Sequence, residues 1–558
     1  MPLQPKFFTL LKNRPQEFGR GHLLREALAG LTVAFIAVPL SIALAIASGV
    51  GPERGLVTVV TAGFIVSLLG GSRVQIGGPT GAFVVIVAGI VQRYGVDGLI
   101  ASTMMAGVFL VLMGLFKFGR MIQYIPYPIT TGFTSGIAVV LFSTQVNDFF
   151  GMGLKDVPSD FVAKWGLYFD SLHAVSPGTL ALGAFALFIL AFWPKRFRFF
   201  PPPLAAIVVT TLAAALGGLE VETIGSRFGA LPSVFPAPQM PRLSWQDFTT
   251  LIPPAVTIAL LAGIESLLSA VVADGMIGKK HRSNMELVAQ GLGNMASAAF
   301  GGIPATGAIA RTAASVSSGA RLPVAGMVHA AAVLLIMLAF SAHISRIPMT
   351  TLAAILFAVA YRMSEWRSFV GLFRAPKDDI AVLLVTFLLT VFIDLVAAIK
   401  IGMVLAALLF MKRMADMTTV INVEDDPPDE TGGDRYSLDG RTVPPGVLVY
   451  EINGPFFFGA ANSFLESLEK MKECRVLILR MRNVPVMDAS GYHALYKVYR
   501  RCARAGTALL LSHVQRQPHS VMNSHGFTDL LGRDHFCLNI DTALKKAEQL
   551  VSHRRAAA

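Results

Sequence analysis

Between residues 27 and 415 the chain is an almost unbroken series of apolar runs, several long enough to cross a bilayer. No other feature narrows the possible folds so far. Inside a bilayer core each backbone N–H and C=O has to be paired within the protein, so such runs become helices. About fourteen segments are expected, at 27–50, 55–70, 80–92, 98–117, 124–146, 177–193, 202–218, 252–273, 286–300, 308–318, 323–343, 348–361, 378–396 and 398–411. Charged residues make up 15% of the 558, against roughly 25% in soluble domains. The residues after 415 have an ordinary soluble composition, so a membrane body is followed by a smaller domain.

The net charge of +12 suggests a polyanion partner at first sight. Its placement excludes nucleic acid, because the basic residues sit between apolar segments, where topology demands them. Starting with Lys6, Lys12, Arg14, Arg20 and Arg25 inside, alternation puts Arg73, Lys117, Arg120, Lys195–Arg198, Lys279–Arg282, Arg321, Arg362–Lys377 and Lys412-Arg413 inside as well. Asp156, Asp160, Asp170, Glu220 and Glu222 fall outside, with a thinner basic set of Arg93, Arg227, Arg242, Arg346 and Lys400. An even number of crossings leaves both termini in the cytosol, as expected of a multi-pass protein of a bacterial inner membrane. The three cysteines, Cys474, Cys502 and Cys537, are scattered through the soluble part, which fits a reducing compartment. The first apolar run is too long for a cleaved signal. No Walker A pattern and no metal-ligand spacing occur, so neither a cofactor nor a metal is expected.

An internal echo carries the most chemistry. Gly77-Gly78-Pro79-Thr80-Gly81-Ala82 precedes the third segment, and Gly301-Gly302-Ile303-Pro304-Ala305-Thr306-Gly307-Ala308 precedes the tenth. The two segments are each third in a set of seven, and an odd number of crossings per set inverts the second set relative to the first. Gly and Pro break the helix at mid-membrane depth. The half-helix that follows begins inside the bilayer with unpaired N–H groups and a positive dipole end. Two such ends form an anion site with few charged side chains. The plainer alternative is a pair of kinked, packed helices.

Candidate substrate contacts are therefore Thr80, Gly81, Ala82 and Phe83 on one side, with Gly307, Ala308, Ile309, Ala310 and Arg311 on the other. Glu265 lies within the apolar run Leu260–Ser269, where a carboxylate is costly and a candidate for ion coupling. Ser269 shares its helix face at i+4 and is a further candidate substrate contact. A structural carboxylate is the alternative for Glu265. Arg311 either supplies fixed positive charge to the anion or pairs with Glu265.

At these residues the sequence resembles the SulP, or sulfate permease, family of anion transporters. The resemblance rests on Val38-Pro39-Leu40-Ser41, Gly78-Pro79-Thr80-Gly81, Ile264-Glu265-Ser266-Leu267, the run Asn284–Asn294, and Arg311-Thr312. It implies a seven-plus-seven inverted repeat, an anion held between the third and tenth segments, an elevator-like cycle and a homodimer. Residues 279–294 and 309–314 are most similar to the DauA-type dicarboxylate branch, which implies proton-coupled uptake of succinate, fumarate or aspartate. Sulfate or bicarbonate transport and a passive anion channel are the alternatives. In the sodium-coupled bicarbonate branch a Thr is expected where Ile309 stands, so the resemblance favours a proton on Glu265.

From residue 416 a polar linker runs to 445, including Asp425-Asp426-Pro427-Pro428 and Gly432-Gly433. Residues 446–553 alternate strand and helix patterns, giving a small α/β domain. Asp488-Ala489-Ser490-Gly491 resembles the signature of STAS domains, which implies a regulatory or protein-docking role without catalysis. Ser490 matches a position phosphorylated in related antagonists, and its alternative role is a helix N-cap. The expected architecture is an all-α polytopic body of about fourteen segments, a cytoplasmic N-terminal segment at 1–26, and a cytoplasmic α/β STAS domain.

Overall fold

The computed structural model describes residues 3–120, 126–154, 157–158, 160–194, 200–229, 232–239, 245–393, 395–422, 442–469 and 474–556. Asp156, the 195–198 basic cluster, Arg242, Asp394 and most of the expected linker lie outside the described residues. Two compact units divide at Met403 and Val404. Each of the fourteen expected segments coincides with a helix. They are α1 (Arg20–Ala47), α2 (Pro52–Leu69), both halves of α3 (Gly81–Leu115) and α4 (Tyr127–Phe150). After the short α5 (Phe161–Asp170) come α6 (Pro177–Phe192), α7 (Pro202–Leu216), α8 (Trp245–Ile277) and α9 (Ser283–Ala299). The series ends with α10 (Ile309–Ser317), α11 (Val324–Ile344), α12 (Met349–Met363), α13 (Lys377–Phe392) and α14 (Leu395–Asp416). Gly95, at φ 68° and ψ −176°, divides α3 into the two expected pieces.

Among the described residues, six helices qualify as membrane crossings by length and composition: α1, α2, α3, α4, α8 from Phe248 onward, and α11. Of the others, α6, α7, α9, α10, α12 and α13 are shorter, and α14, at 22 residues, carries Lys400, Lys412, Arg413 and Asp416. A short helix is tolerated at membrane depth where protein covers its ends. α1 starts at Arg20, within the segment expected to precede the body, and Glu26 explains why. It is 3% exposed, and its carboxylate accepts from the N–H groups of Arg321 (2.6 Å) and Leu322 (3.0 Å). A buried acid so bonded belongs to the packed body. α1 runs on through Pro39 as a single helix, with Pro39 buried.

Packing repeats between the two sets. α3 packs on α9 as α11 packs on α2, and α4 packs on α13 as α12 packs on α6. Exchanging the two sets maps each pair on the other, as an inverted repeat requires. The helices form two clusters, one of α1–α3 with α8–α11 and one of α4, α6, α7, α12 and α13. Ile42, Leu44, Leu56 and Val59 are buried in the core of the first cluster.

The second unit carries a five-stranded sheet in sequence order, of β3 (Thr419–Asn422), β4 (Val447–Asn453), β5 (Val476–Asn483), β6 (Ala508–Ser512) and β7 (Phe536–Cys537). β3 runs antiparallel to β4, and the remaining pairs are parallel. Alternate residues serve opposite faces. Leu448, Tyr450, Leu477 and Leu479 pack with α15 (Phe458–Glu469) and α16 (Ala489–Ala505). Val447, Val449, Val476 and Ile478 pack with α17 (Ile540–Ala556). The expected strands and helices are present; β3, β7 and two short helices after β6 are additional.

The N-cap of α16 is Asp488, which corrects that role for Ser490. The Asp488 carboxylate accepts from Gly491 N–H at 2.8 Å and Phe458 N–H at 3.1 Å. A cap has to sit just outside the helix in extended backbone, and Asp488 has φ −101° and ψ −177°. Ser490, two residues on, is already helical and half-buried.

Candidate anion site

The two Gly-Pro breaks meet. β1 (Gly77–Gly78) and β2 (Thr306–Gly307) pair antiparallel, with Gly77 opposite Gly307 and Gly78 opposite Thr306. Each two-residue strand leads into the start of a helix, α3 at Gly81 and α10 at Ile309. Pro79 keeps Gly78 extended, so α3 cannot begin before Pro79. Thr80, at φ −128° and ψ 163°, is the extended N-cap after which the helix starts. No side chain caps either helix. Among the described residues, the N–H groups of Gly81, Ala82, Ile309 and Ala310 have no hydrogen-bond partner. Ile309 and Ala310 are exposed within an otherwise buried stretch, and Ile309 reaches 38%. Open space therefore borders the N-terminus of α10, while at α3 only the N-cap residue Thr80 is partly open and Gly81 to Phe83 are buried. A helix N-terminus favours negative charge by about 0.3–1 kcal/mol, up to ~2 when partly buried.

Charge is concentrated at the same place. Arg311, 1% exposed, donates from Nη2 to the Pro79 carbonyl, while its Nε and Nη1 have no partner. Glu265 keeps part of its surface open and accepts from the Thr80 hydroxyl at 2.9 Å. No ion pair joins Glu265 to Arg311 among the described residues. Of the two roles open to Arg311, direct pairing is thus not the one realised. Its guanidinium lies where a Cβ on Gly78 would come within 2.6 Å of Nη1, so only glycine lets the loop pass. A Cβ on Gly307 would overlap the Gln75 amide, which donates to the Ser266 carbonyl at 3.0 Å.

Not every candidate faces the open space. Ala82, Phe83 and Ala308 are buried, at 5%, 1% and 4% exposure. Ser269 is fully buried and turns toward Thr312, at 3.5 Å, rather than toward Glu265's partners. Thr312 in turn accepts from Ile76 N–H at 3.0 Å, so Ser269 belongs to the packing of α8 on α10.

The sequence motif 284–294 has a role that residue types alone do not reveal. Glu286, Gln290 and Asn294 recur every four residues along one face of α9. Glu286 accepts from the N–H groups of Gly71 (2.8 Å) and Ser72 (3.0 Å) and from the Gln290 amide (3.1 Å). Asn294 accepts from Ala305 N–H (2.9 Å) and donates to the Ala305 carbonyl (2.8 Å). α9 thereby holds both loops that deliver β1 and β2. Ser266 completes the frame, accepting from Gly307 N–H at 3.0 Å and bonding the Thr306 hydroxyl at 2.7 Å. The i, i+4, i+8 spacing of three polar side chains in an apolar segment is the signal that marks them.

Comparison with known proteins agrees with this geometry. Residues 23–386 match the sulfate permease family and residues 441–543 the STAS domain. YvdB of Bacillus subtilis (strain 168), a protein named for sulfate transport, is 40% identical over 515 residues, 92% of this chain and 95% of YvdB. The bicarbonate transporter BicA of Picosynechococcus sp. is 31% identical over 495 residues, 84% of this chain and 85% of BicA. The murine anion transporter Solute Carrier 26 family member A9, solved in an inward-facing state, shares the fold at 17% identity. Its TM-score is 0.86, with 98% of this chain and 96% of that one covered. A membrane body with paired helix breaks, joined to a STAS domain and matched along nearly its whole length by transporters, is no enzyme: the chain belongs to the sulfate permease family of anion transporters.

Proposed function

We propose that the chain is a proton-coupled symporter of a small oxyanion in a bacterial inner membrane, with Glu265 as the proton carrier. The observation behind this reading is the Thr80–Glu265 hydrogen bond. It ties the one carboxylate of the site to the residue that starts α3, whose N–H groups border the anion space. An ionised Glu265 repels an incoming anion, and a protonated one does not. Loading of proton and anion is then coupled by simple electrostatics, with Arg311 as fixed positive charge. The cluster carrying α3 and α10 moves against that of α4 and α12 in an elevator-like cycle. Both termini lie in the cytosol, the chain works as a homodimer, and the STAS domain regulates it through a cytosolic partner. Ser490, free of the capping role, is available for phosphorylation.

Substrate identity divides two ways. The dicarboxylate reading rests on residues 279–294 and 309–314. Within these, Glu286 and Asn294 are bonded to loops and Gln290 to Glu286, so they say little about the substrate. Relatives named for sulfate and bicarbonate favour those anions as the second reading. The test is counterflow by the purified chain in liposomes, using labelled succinate, sulfate and bicarbonate with and without sodium over a pH series. We expect sodium-independent uptake that rises as external pH falls. Uptake that requires sodium and ignores pH contradicts the proton reading.

A further inference from the structure

A cavity of about 830 Å³ lies between the two helix clusters, lined from α1, α3, α4, α5, α8 and α13. Thr80, Glu265 and Arg311 are not among its lining residues, so it is separate from the candidate anion site. Its charged residues sit beside loops that the charge bias assigns to the outside. They are Arg93, Asp148, Asp160, Lys164 and Arg227.

Most of these charges are already committed. Arg227 donates to both Asp148 oxygens, at 2.7 and 3.1 Å, and pairs with Glu222. Asp160 caps α5 by accepting from Ala163 N–H at 2.8 Å. The neutral Asn147 is locked to Leu154 in both directions, at 3.0 and 3.1 Å. Lys164 differs. It is 6% exposed, and among the described residues its side chain makes no hydrogen bond and no ion pair within 4 Å; the Asp160 carboxylate, one turn earlier, acts on its charge only from farther away. The helix that carries it is fixed. The Trp165 indole donates to the Ser143 hydroxyl at 3.0 Å and the Tyr168 hydroxyl to the Ser143 carbonyl at 3.0 Å, clamping α5 onto α4. Arg93 is the second charged lining residue with neither bond, and it is exposed.

A lysine in a largely buried position with no ion pair is costly to keep charged unless an anion relieves it. A cavity with low-dielectric walls also focuses its field and raises local anion concentration. We propose that Lys164, with Arg93 lining the same cavity, forms an entry station that binds the incoming oxyanion before it reaches the site between α3 and α10. This proposal rests on the transport reading above. The station takes any small mono- or divalent oxyanion, since one flexible ammonium reads charge rather than shape.

Two measurements on the full chain test it. A reporter cysteine at the cavity wall, Ala88→Cys, is modified in proteoliposomes with anionic or cationic methanethiosulfonates. With Lys164 present, the anionic reagent reacts faster by about tenfold. Lys164→Gln brings the ratio near one, and Lys164→Arg keeps it. A ratio unchanged by Lys164→Gln overturns the proposal. In the second arm, uptake of labelled sulfate and bicarbonate by Lys164→Gln shows KM raised about five- to tenfold and kcat within about twofold, with Lys164→Arg restoring KM. A fall in kcat at unchanged KM overturns it as well. Should the unmodified chain carry neither anion, the transport reading fails for them, and the reagent ratio still decides on Lys164.

Discussion

Glu265→Gln is expected to keep anion exchange and to lose accumulation driven by a proton gradient. The amide is a permanent stand-in for the protonated acid, so it still accepts from Thr80 but cannot release a proton on the inner side. One coupled proton is worth about 1.4 kcal/mol per pH unit, or about tenfold accumulation when the membrane potential is clamped. In liposomes with an acid exterior the unmodified chain should approach that ratio, and Glu265→Gln should stay near one. Its counterflow should change by no more than about threefold and lose its pH dependence. Full pH-driven accumulation by the variant would return Glu265 to the status of a structural carboxylate.

Arg311→Gln is expected to lower anion affinity on the order of fiftyfold. The two helix ends together contribute about 1–4 kcal/mol. A fixed charge about 6–8 Å from the anion, at an effective dielectric near 20, contributes roughly 2–3 kcal/mol more, which converts to that factor. Arg311 is buried with two nitrogens unpartnered and, among the described residues, makes no ion pair within 4 Å, so Glu265 offsets its charge only from a distance. Equilibrium dialysis with labelled anion checks the affinity, and a monodisperse, heat-stable variant separates lost binding from lost fold. Lys at this position should recover part of the affinity, because the charge returns without the bond to the Pro79 carbonyl.

The apolar runs and the two Gly-Pro breaks were sufficient to place every expected helix and to bring residues 77–81 next to 306–311. Both signals are local, because hydrophobic length and backbone permission belong to the segment itself. What the sequence hid depends on partners far away in the chain. Glu286 reads as an isolated acid until Gly71 and Ser72 supply their N–H groups across 215 and 214 residues. Ser269 shares a helix face with Glu265 by spacing, yet Thr312 claims it. β3 hides at the start of what reads as linker, since a strand so short declares itself only through its pairing with β4. Asp488 and Ser490 both suit a helix start by type, and only the backbone angles choose between them.

The central claim is that the anion sits between the N-termini of α3 and α10. Ala310→Cys puts a thiol in the first turn of α10, at a residue that is exposed in the structure. Its alkylation rate is followed by mass spectrometry of the full chain while the transported anion is titrated. The expected result is protection that saturates with the same half-point as transport and disappears in Arg311→Gln. An alkylation rate indifferent to saturating anion would contradict the account.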